Sequence, residues 1–313
     1  MPRTPYALVT LATAVALVAF GAPSWLALLT GVAIAVAFGR PAPPALKTWT
    51  SRVLQWGVVG LGAGMNLVVV LRVGSSGAAL TAASLLLTFA IGTLVGRVLR
   101  VPGDTALLVT VGTAICGGSA IAAVGSVMKP KAHEMSIALG VVFMLNAVAL
   151  VVFPPLGHAV GLSQEGFGRW AALAIHDTSS VVGAALSYGP EALQVATTTK
   201  LARALWIVPL TLGIALSRQR ENPGGLKAVK WPWFIAAFLA AAALFTWVPA
   251  LAVVQPAVTE IAKRLLVLAL YLIGLGLSRD ALRAVGWRPL AQGVALWLVV
   301  GGTWLAFALF THA

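Results

Sequence analysis

Two charged pairs stand inside stretches otherwise made of alanine, valine, leucine and isoleucine. His176 and Asp177 lie in ALAIHDTSSVVG and are followed by Thr178, Ser179 and Ser180; Lys200 and Arg203 lie in ATTTKLARALW. An imidazole titrates near neutral pH, and a carboxylate in apolar surroundings can hold a proton, so His176 and Asp177 suit proton coupling. Asp177 alone would suit a sodium ion. The pair would equally serve as a buried structural contact, each member satisfying the other. On one helix His176, Ser179, Ser180 and Gly183 share a face, with Asp177 one step away. Lys200 and Arg203 are three residues apart and face the same way. Two fixed cations facing a cavity would neutralise an anion, and the guanidinium fork matches an oxyanion at two points. A helix starting near Thr197 would instead let Lys200 reach an interface.

A third segment, GTAICGGSA, places Thr113, Cys116 and Ser119 around Gly117 and Gly118. Each glycine weakens a helix by about 1 kcal/mol relative to alanine. A break here would bare backbone N–H groups near Ser119 and Ala120, where the half-helix dipole favours an anion, with Thr113 and Ser119 as further donors. The same glycines would also permit close helix packing. Asn66 and Asn146 are secondary candidates, along with Ser180; either asparagine would also work as interhelical glue. HExxH, GxSxG and P-loop patterns are absent from the chain, which holds eight acids and four histidines, so an enzyme is not expected. A His176–Ser180 dyad is the remaining enzymatic option. The only cofactor expected is a coupling ion, H+ or Na+.

These residues need elements to carry them. The chain has 313 residues, 60% hydrophobic and 9% charged, against about 25% charged in soluble domains. Eleven apolar runs follow one another: Tyr6–Phe20, Ser24–Gly39, Val53–Leu71, Ala78–Gly96, Thr105–Met128, Met135–Leu156, Phe167–Leu186, Ala192–Leu216, Trp233–Val248, Ile261–Leu277 and Leu290–Phe310. Each approaches the roughly 20 residues that cross a bilayer. The expectation is an all-α polytopic membrane protein of about eleven transmembrane helices, forming one domain over residues 1–313. The first run resembles a signal peptide but is read as a helix, because further spans follow at once. Counted by span, Asn66, Cys116, Asn146, His176 and Arg203 all fall near mid-depth.

A net charge of +13 would suggest nucleic acid on a soluble protein. Here the basic residues fill the gaps between runs, so orientation is the better reading and no nucleic-acid partner is expected. With eleven crossings, fourteen lie on one side: Arg3, Arg40, Lys47, Arg52, Arg97, Arg100, Arg169, Arg218, Arg220, Lys227, Lys230, Arg279, Arg283 and Arg288. The other side holds five: Arg72, Lys129, Lys131, Lys263 and Arg264. The bias puts the N-terminus inside and the C-terminus outside. Glu260, Lys263 and Arg264 read as an interface cluster. The single cysteine, Cys116, excludes an intrachain disulfide.

LGAGMNLVVVLRVG, ending at Gly74, resembles IGLGLSRDALRAVG, ending at Gly286, and suggests an inverted repeat of the third and tenth runs. A five-plus-five division, residues 24–157 and 166–311, conflicts with that register.

TVGTAICGGSAIAAVGSVMKP, WAALAIHDTSSVVGAALSYG and TKLARALWIVPL together resemble the YeiH family of bacterial inner-membrane proteins, labelled sulfate exporters. The resemblance runs along nearly the whole chain. It implies kinship with cation/proton antiporters and bile-acid symporters, hence inverted repeats with discontinuous crossing helices. By order, the second crossing helix would be the tenth run. It implies a multi-pass protein of the bacterial inner membrane and, by motif, a site drawn from Thr113, Cys116, Gly117, Gly118, Ser119, His176, Asp177, Thr178, Ser179, Lys200 and Arg203. The expected function is ion-coupled secondary transport of a small anion, sulfate or an organosulfur acid, by alternating access. The alternative is a cation/proton antiporter using Asp177. Partners would be the anion and the lipid bilayer, with a homodimer left open.

Overall fold

The computed structural model describes residues 3–39, 44–217, 233–277 and 285–312, and these are helical and connecting segments throughout. Arg40, Arg218, Arg220, Lys227, Lys230, Arg279 and Arg283, with all of SRDALR in the second repeat segment, lie outside them. The helices are α1 (Arg3–Ala19), α2 (Ser24–Phe38), α3 (Pro44–Ala63), α4 (Leu67–Val98), α5 (Gly103–Ala114), α6 (Gly118–Met128), α7 (Ala132–Ala159), α8 (Gln164–Ala174), α9 (Thr178–Tyr188), α10 (Pro190–Ala204), α11 (Ile207–Ser217), α12 (Trp233–Trp247), α13 (Gln255–Gly276) and α14 (Trp287–His312). Among the described residues, four stretches are long and apolar enough to cross a membrane: Ala79–Val98, His133–Ala159, Pro190–Ser217 and Trp287–Thr311. The bent pair Thr48–Ala63 and Leu67–Val73 makes a fifth if it is one broken span.

The chain forms two compact units. The first comprises Met1–Leu71 and Trp233–Leu282. In it α13 packs along α2 and α3, and α12 along α3. The α2–α13 crossing is backbone on backbone: a Cβ on Gly31 would stand 2.3 Å from the Tyr271 carbonyl oxygen, and one on Gly274 2.3 Å from that of Leu28. Only glycine allows so close an approach. Arg264 donates to the Val18 and Ala19 carbonyls at the end of α1 and to Glu260, so the expected interface cluster is in part a helix cap.

Here the third run departs from expectation. Helix α3 stops at Ala63 and the chain turns through 112°. Asn66 lies exposed at that corner, outside both helices. Its Oδ1 accepts from the amides of Val68 (2.9 Å) and Val69 (3.4 Å), capping α4. Asparagine is a strong helix starter, and that local preference wins over the apolar run around it. Helix α13 is continuous, so the tenth run is not the second interrupted helix.

The second unit comprises Arg72–Pro232 and Arg283–Ala313. Gln292 on α14 donates to Gly92 O (3.1 Å), and Trp304 donates to Ser84 Oγ (3.1 Å); α4 and α14 are therefore antiparallel. Gly293 lies against Val141 and Leu145, and Trp297 against Phe153, so α7 runs with α14. Thus α4 ends where α14 and α7 begin. Helices α5 and α6 leave and return to that one end: they form a hairpin. A Cβ on Gly112 would lie 2.8 Å from Ile121 Cδ1 across it.

The seventh run also folds back. Phe153 stacks on Trp170 (4.2 Å), while Phe167 of α8 stacks on Tyr188 of α9 (3.7 Å) and His158 of α7 stacks on the same Tyr188 (4.1 Å). The Tyr188 hydroxyl donates to Leu162 O (2.6 Å), and Gln164 Oε1 accepts from the Glu191 amide (3.0 Å). The start of α8 and the end of α9 thus share the far end of α7. The fifth and seventh runs are two opposed hairpins, not single spanning helices. Hydropathy cannot separate the cases, because two 11-residue arms contain as many apolar residues as one span.

Candidate functional site

Arms of 11 or 12 residues rise about 16–18 Å, roughly half of a bilayer core. The tips of the two hairpins meet. The two tips share a spacing, though not a backbone path: Ile115 has φ −119° and ψ −90°, Ile175 φ −83° and ψ 131°. Helix α5 ends at Ala114 with Ile115 as C-cap, and α8 ends at Ala174 with Ile175 as C-cap. Three non-helical residues follow, then α6 starts at Gly118 and α9 at Thr178. In sequence, Ala114-Ile115-Cys116-Gly117-Gly118-Ser119 stands against Ala174-Ile175-His176-Asp177-Thr178-Ser179. This internal match was legible in the sequence and was missed, because comparing whole runs hid a six-residue signal.

Gly117 turns the first tip with φ +65° and ψ −126°, a conformation open essentially to glycine. A Cβ there would lie 3.1 Å from Asp177 Cα and Cβ, so the tips touch at Gly117 and Asp177. In the second tip, Asp177 is the N-cap of α9: its Oδ2 accepts from the Ser179 amide at 3.0 Å and from the Ser179 hydroxyl. His176 and Asp177 therefore precede the helix, and the face shared by His176, Ser179 and Ser180 does not form. The capping preference of aspartate ends the run there.

The helices that follow the hairpins reach across to the tips. On α7, Asn146 Oδ1 accepts from the amides of His176 and Asp177, both at 3.1 Å. On α10, Arg203 Nε donates to Ala114 O, Nη2 to Thr113 O (3.3 Å) and Nη1 to Leu173 O (2.7 Å). Lys200 Nζ donates to Ile175 O (2.7 Å) and Ala172 O (3.2 Å). The carbonyl ends of α5 and α8 carry partial negative charge and lack intrahelical partners; the two cations supply both deficits. Lys200 and Arg203 are 0% exposed, and α10 begins at Pro190, so Lys200 does not reach an interface.

The structure thus brings Thr113, Cys116, Gly117, Asn146, His176, Asp177, Ser179, Lys200 and Arg203 into one region of the second unit, and leaves Asn66 outside it. Thr178 and Ser180 are buried on the first turn of α9. The Thr113 hydroxyl is engaged within its own helix, on Val109 O at 2.9 Å. Gly118 is half-buried and Ser119 exposed. The N-cap of α6, Gly117, offers no side chain, and the Ala120 amide in the first turn hydrogen-bonds the Cys116 sulfur. Both ring nitrogens of His176 and the Asn146 Nδ2 are buried without a partner among the described residues. Buried polar atoms of that kind call for water or a ligand. Among the described residues, no three His, Cys, Asp or Glu side chains are grouped to hold a metal ion.

Residues 7–293 match a family described as conserved hypothetical protein 698. A UPF0324 membrane protein of Bdellovibrio bacteriovorus is 53% identical over 285 residues, covering 90% of this chain and 88% of that protein. The chain belongs to the UPF0324 membrane protein family. Other members similar to it include one from Bacteroides thetaiotaomicron, 45% identical over 91% of this chain and 86% of that protein. One from Geobacter sulfurreducens is 42% identical over 88% and 87%. No solved structure matches the chain. Both hairpins, α7 and α10 fall within the matched residues of this UPF0324 protein.

Proposed function

We propose that this UPF0324 protein is a secondary transporter of a small anion in the bacterial plasma membrane, with the two hairpin tips as its substrate site. The observation that carries the reading is the meeting of Gly117 and Asp177 between hairpins entering from opposite ends. A site half-way through the bilayer, built on broken helices, is the arrangement alternating access requires. In this proposal the anion sits at the start of α6, beside Gly118 and Ser119, where the N-cap Gly117 offers no side chain. His176 and Asp177 are the proton-coupling groups. Lys200 and Arg203 hold the frame of the site together and add positive potential to it.

In this reading nine segments cross the membrane and two hairpins enter it. Removing both the fifth and seventh crossings keeps the parity of every later segment. Lys129 and Lys131 then join the inner side and Arg169 leaves it. The outer side keeps only Arg72, Arg169, Lys263 and Arg264, which sharpens the positive-inside bias. The repeats become α5–α6–α7 and α8–α9–α10–α11. Each helix following a hairpin serves the other hairpin's tip, Asn146 in one case and Arg203 in the other.

The test is flux into proteoliposomes of radiolabelled sulfate and a panel of sulfonates and carboxylates, with and without a pH gradient. Saturable, pH-driven flux of one anion supports the reading; no anion flux, with cation flux abolished by Asp177→Asn and spared by Arg203→Ala, would favour an antiporter instead.

A further inference from the structure

We infer that Lys200 and Arg203 occupy the seat an alkali cation would take at the broken helices, so that the site works with tethered cations and binds no sodium. Carbonyls at the ends of interrupted membrane helices are the groups that coordinate Na+ in such sites. Here Thr113 O and Ala114 O of the first tip, and Ala172 O, Leu173 O and Ile175 O of the second, all accept from these two side chains. The ammonium and guanidinium are 0% exposed. A metal ion displacing either would strand a charge with neither water nor carbonyl, which is prohibitive.

Charge accounting points the same way. Two helix C-terminal ends contribute about half a negative charge each, and two N-terminal ends about half a positive charge each, so these cancel. Lys200, Arg203 and Asp177 then leave about one net positive charge. Moving a proton from Lys200 to Asp177 leaves that sum unchanged. A region with this excess repels a free cation and favours an anion. The inference rests on the transporter reading only where coupling is concerned; occupancy of the carbonyl seat stands by itself.

The experiment uses the full-length protein in detergent. Thermal unfolding midpoints are compared in sodium, lithium, potassium and choline chloride at equal ionic strength. The wild type should show no difference among them. Lys200→Met, which bares Ala172 O and Ile175 O, should gain an upward shift with sodium or lithium over choline. A sodium-specific rise in the wild type overturns the inference, as does a Lys200→Met protein indifferent to every alkali ion. Should Lys200→Met not fold, the wild-type comparison still decides. In proteoliposomes, anion flux should be equal when choline replaces sodium, and dependence on sodium overturns the inference. Flux absent in both salts sinks the transporter reading instead, and leaves the melting result to judge the cation seat.

Discussion

The two hairpin tips are alike in spacing and unlike in backbone and charge: Gly117 turns one with φ +65°, while Asp177 is extended in the other and brings a carboxylate. Both end an arm at Ala-Ile and restart three residues later. The α8–α9 tip supplies its own anion, since the Asp177 carboxylate sits on the start of α9. At the matching place in the α5–α6 tip stands Gly117, which has no side chain to cap α6, and only the neutral Cys116 sulfur meets an amide there, that of Ala120. One tip thus caps its own helix start with a carboxylate, while the other has no charged side chain there. A helix N-terminus prefers a negative partner by about 0.3–1 kcal/mol when exposed, and more when partly buried. In the proposed reading, the anion from outside takes the place that Asp177 fills in the other tip.

The first way to break this comparison is all-or-none. In a Cys116→Ser background, single cysteines at Arg100, Lys131 and Arg169 are labelled with an impermeant maleimide. Arg100 and Lys131 positions should react from one side of the membrane and Arg169 from the other. Opposite reactivity of Arg100 and Lys131 would mean that α5–α6 crosses, and the opposed hairpins would be lost.

The next effect is on stability. Arg203→Ala leaves Thr113 O, Ala114 O and Leu173 O without their donor and opens a cavity, so thermal or denaturant unfolding should show a loss of about 3–5 kcal/mol. A loss below 1 kcal/mol would mean that the tips do not depend on this clamp. Gly117→Ala forces a side chain into a glycine-only conformation, against Asp177. A cost of about 1–3 kcal/mol is expected in the same assay, and the corresponding change at Gly118 should cost less.

Smaller effects separate the carboxylate-capped tip from the other. Asp177→Asn keeps a competent cap, so unfolding should move by less than about 1 kcal/mol, yet anion flux should lose its response to a pH gradient. Flux still fully pH-driven would remove Asp177 from coupling. Ser119→Ala removes an exposed hydroxyl at the start of α6; affinity for the transported anion, read by calorimetry, should fall roughly fivefold, about 1 kcal/mol, with little change in melting. Ser179→Ala should do the reverse, lowering the melting midpoint through the lost bond to Asp177 while leaving affinity nearly unchanged. Equal behaviour of the two serines would erase the distinction between tips.

The position of Asn66 shows where counting residues along a run goes wrong. Its apolar neighbours suggested a span, but its side chain caps α4 at a 112° corner. Cys116, Asn146, His176 and Arg203 do come together, but not as points along crossing helices: Cys116 and His176 stand at the non-helical tips, and Asn146 and Arg203 reach those tips from α7 and α10.

By itself, the sequence determined that the chain is built for lipid, since 60% hydrophobic and 9% charged residues leave no other way to hide so much apolar surface. It also determined where two helices must stop, because Gly117 and Asp177 carry local preferences that act within a few residues. Only the tertiary structure decided that the chain reverses at those stops. An apolar run reports its length and not its direction, and direction is set by contacts between residues far apart in sequence, such as Arg203 on Ala114 and Asn146 on His176. The same contacts decided that the buried cations face carbonyls, which no spacing of charges along the chain could reveal.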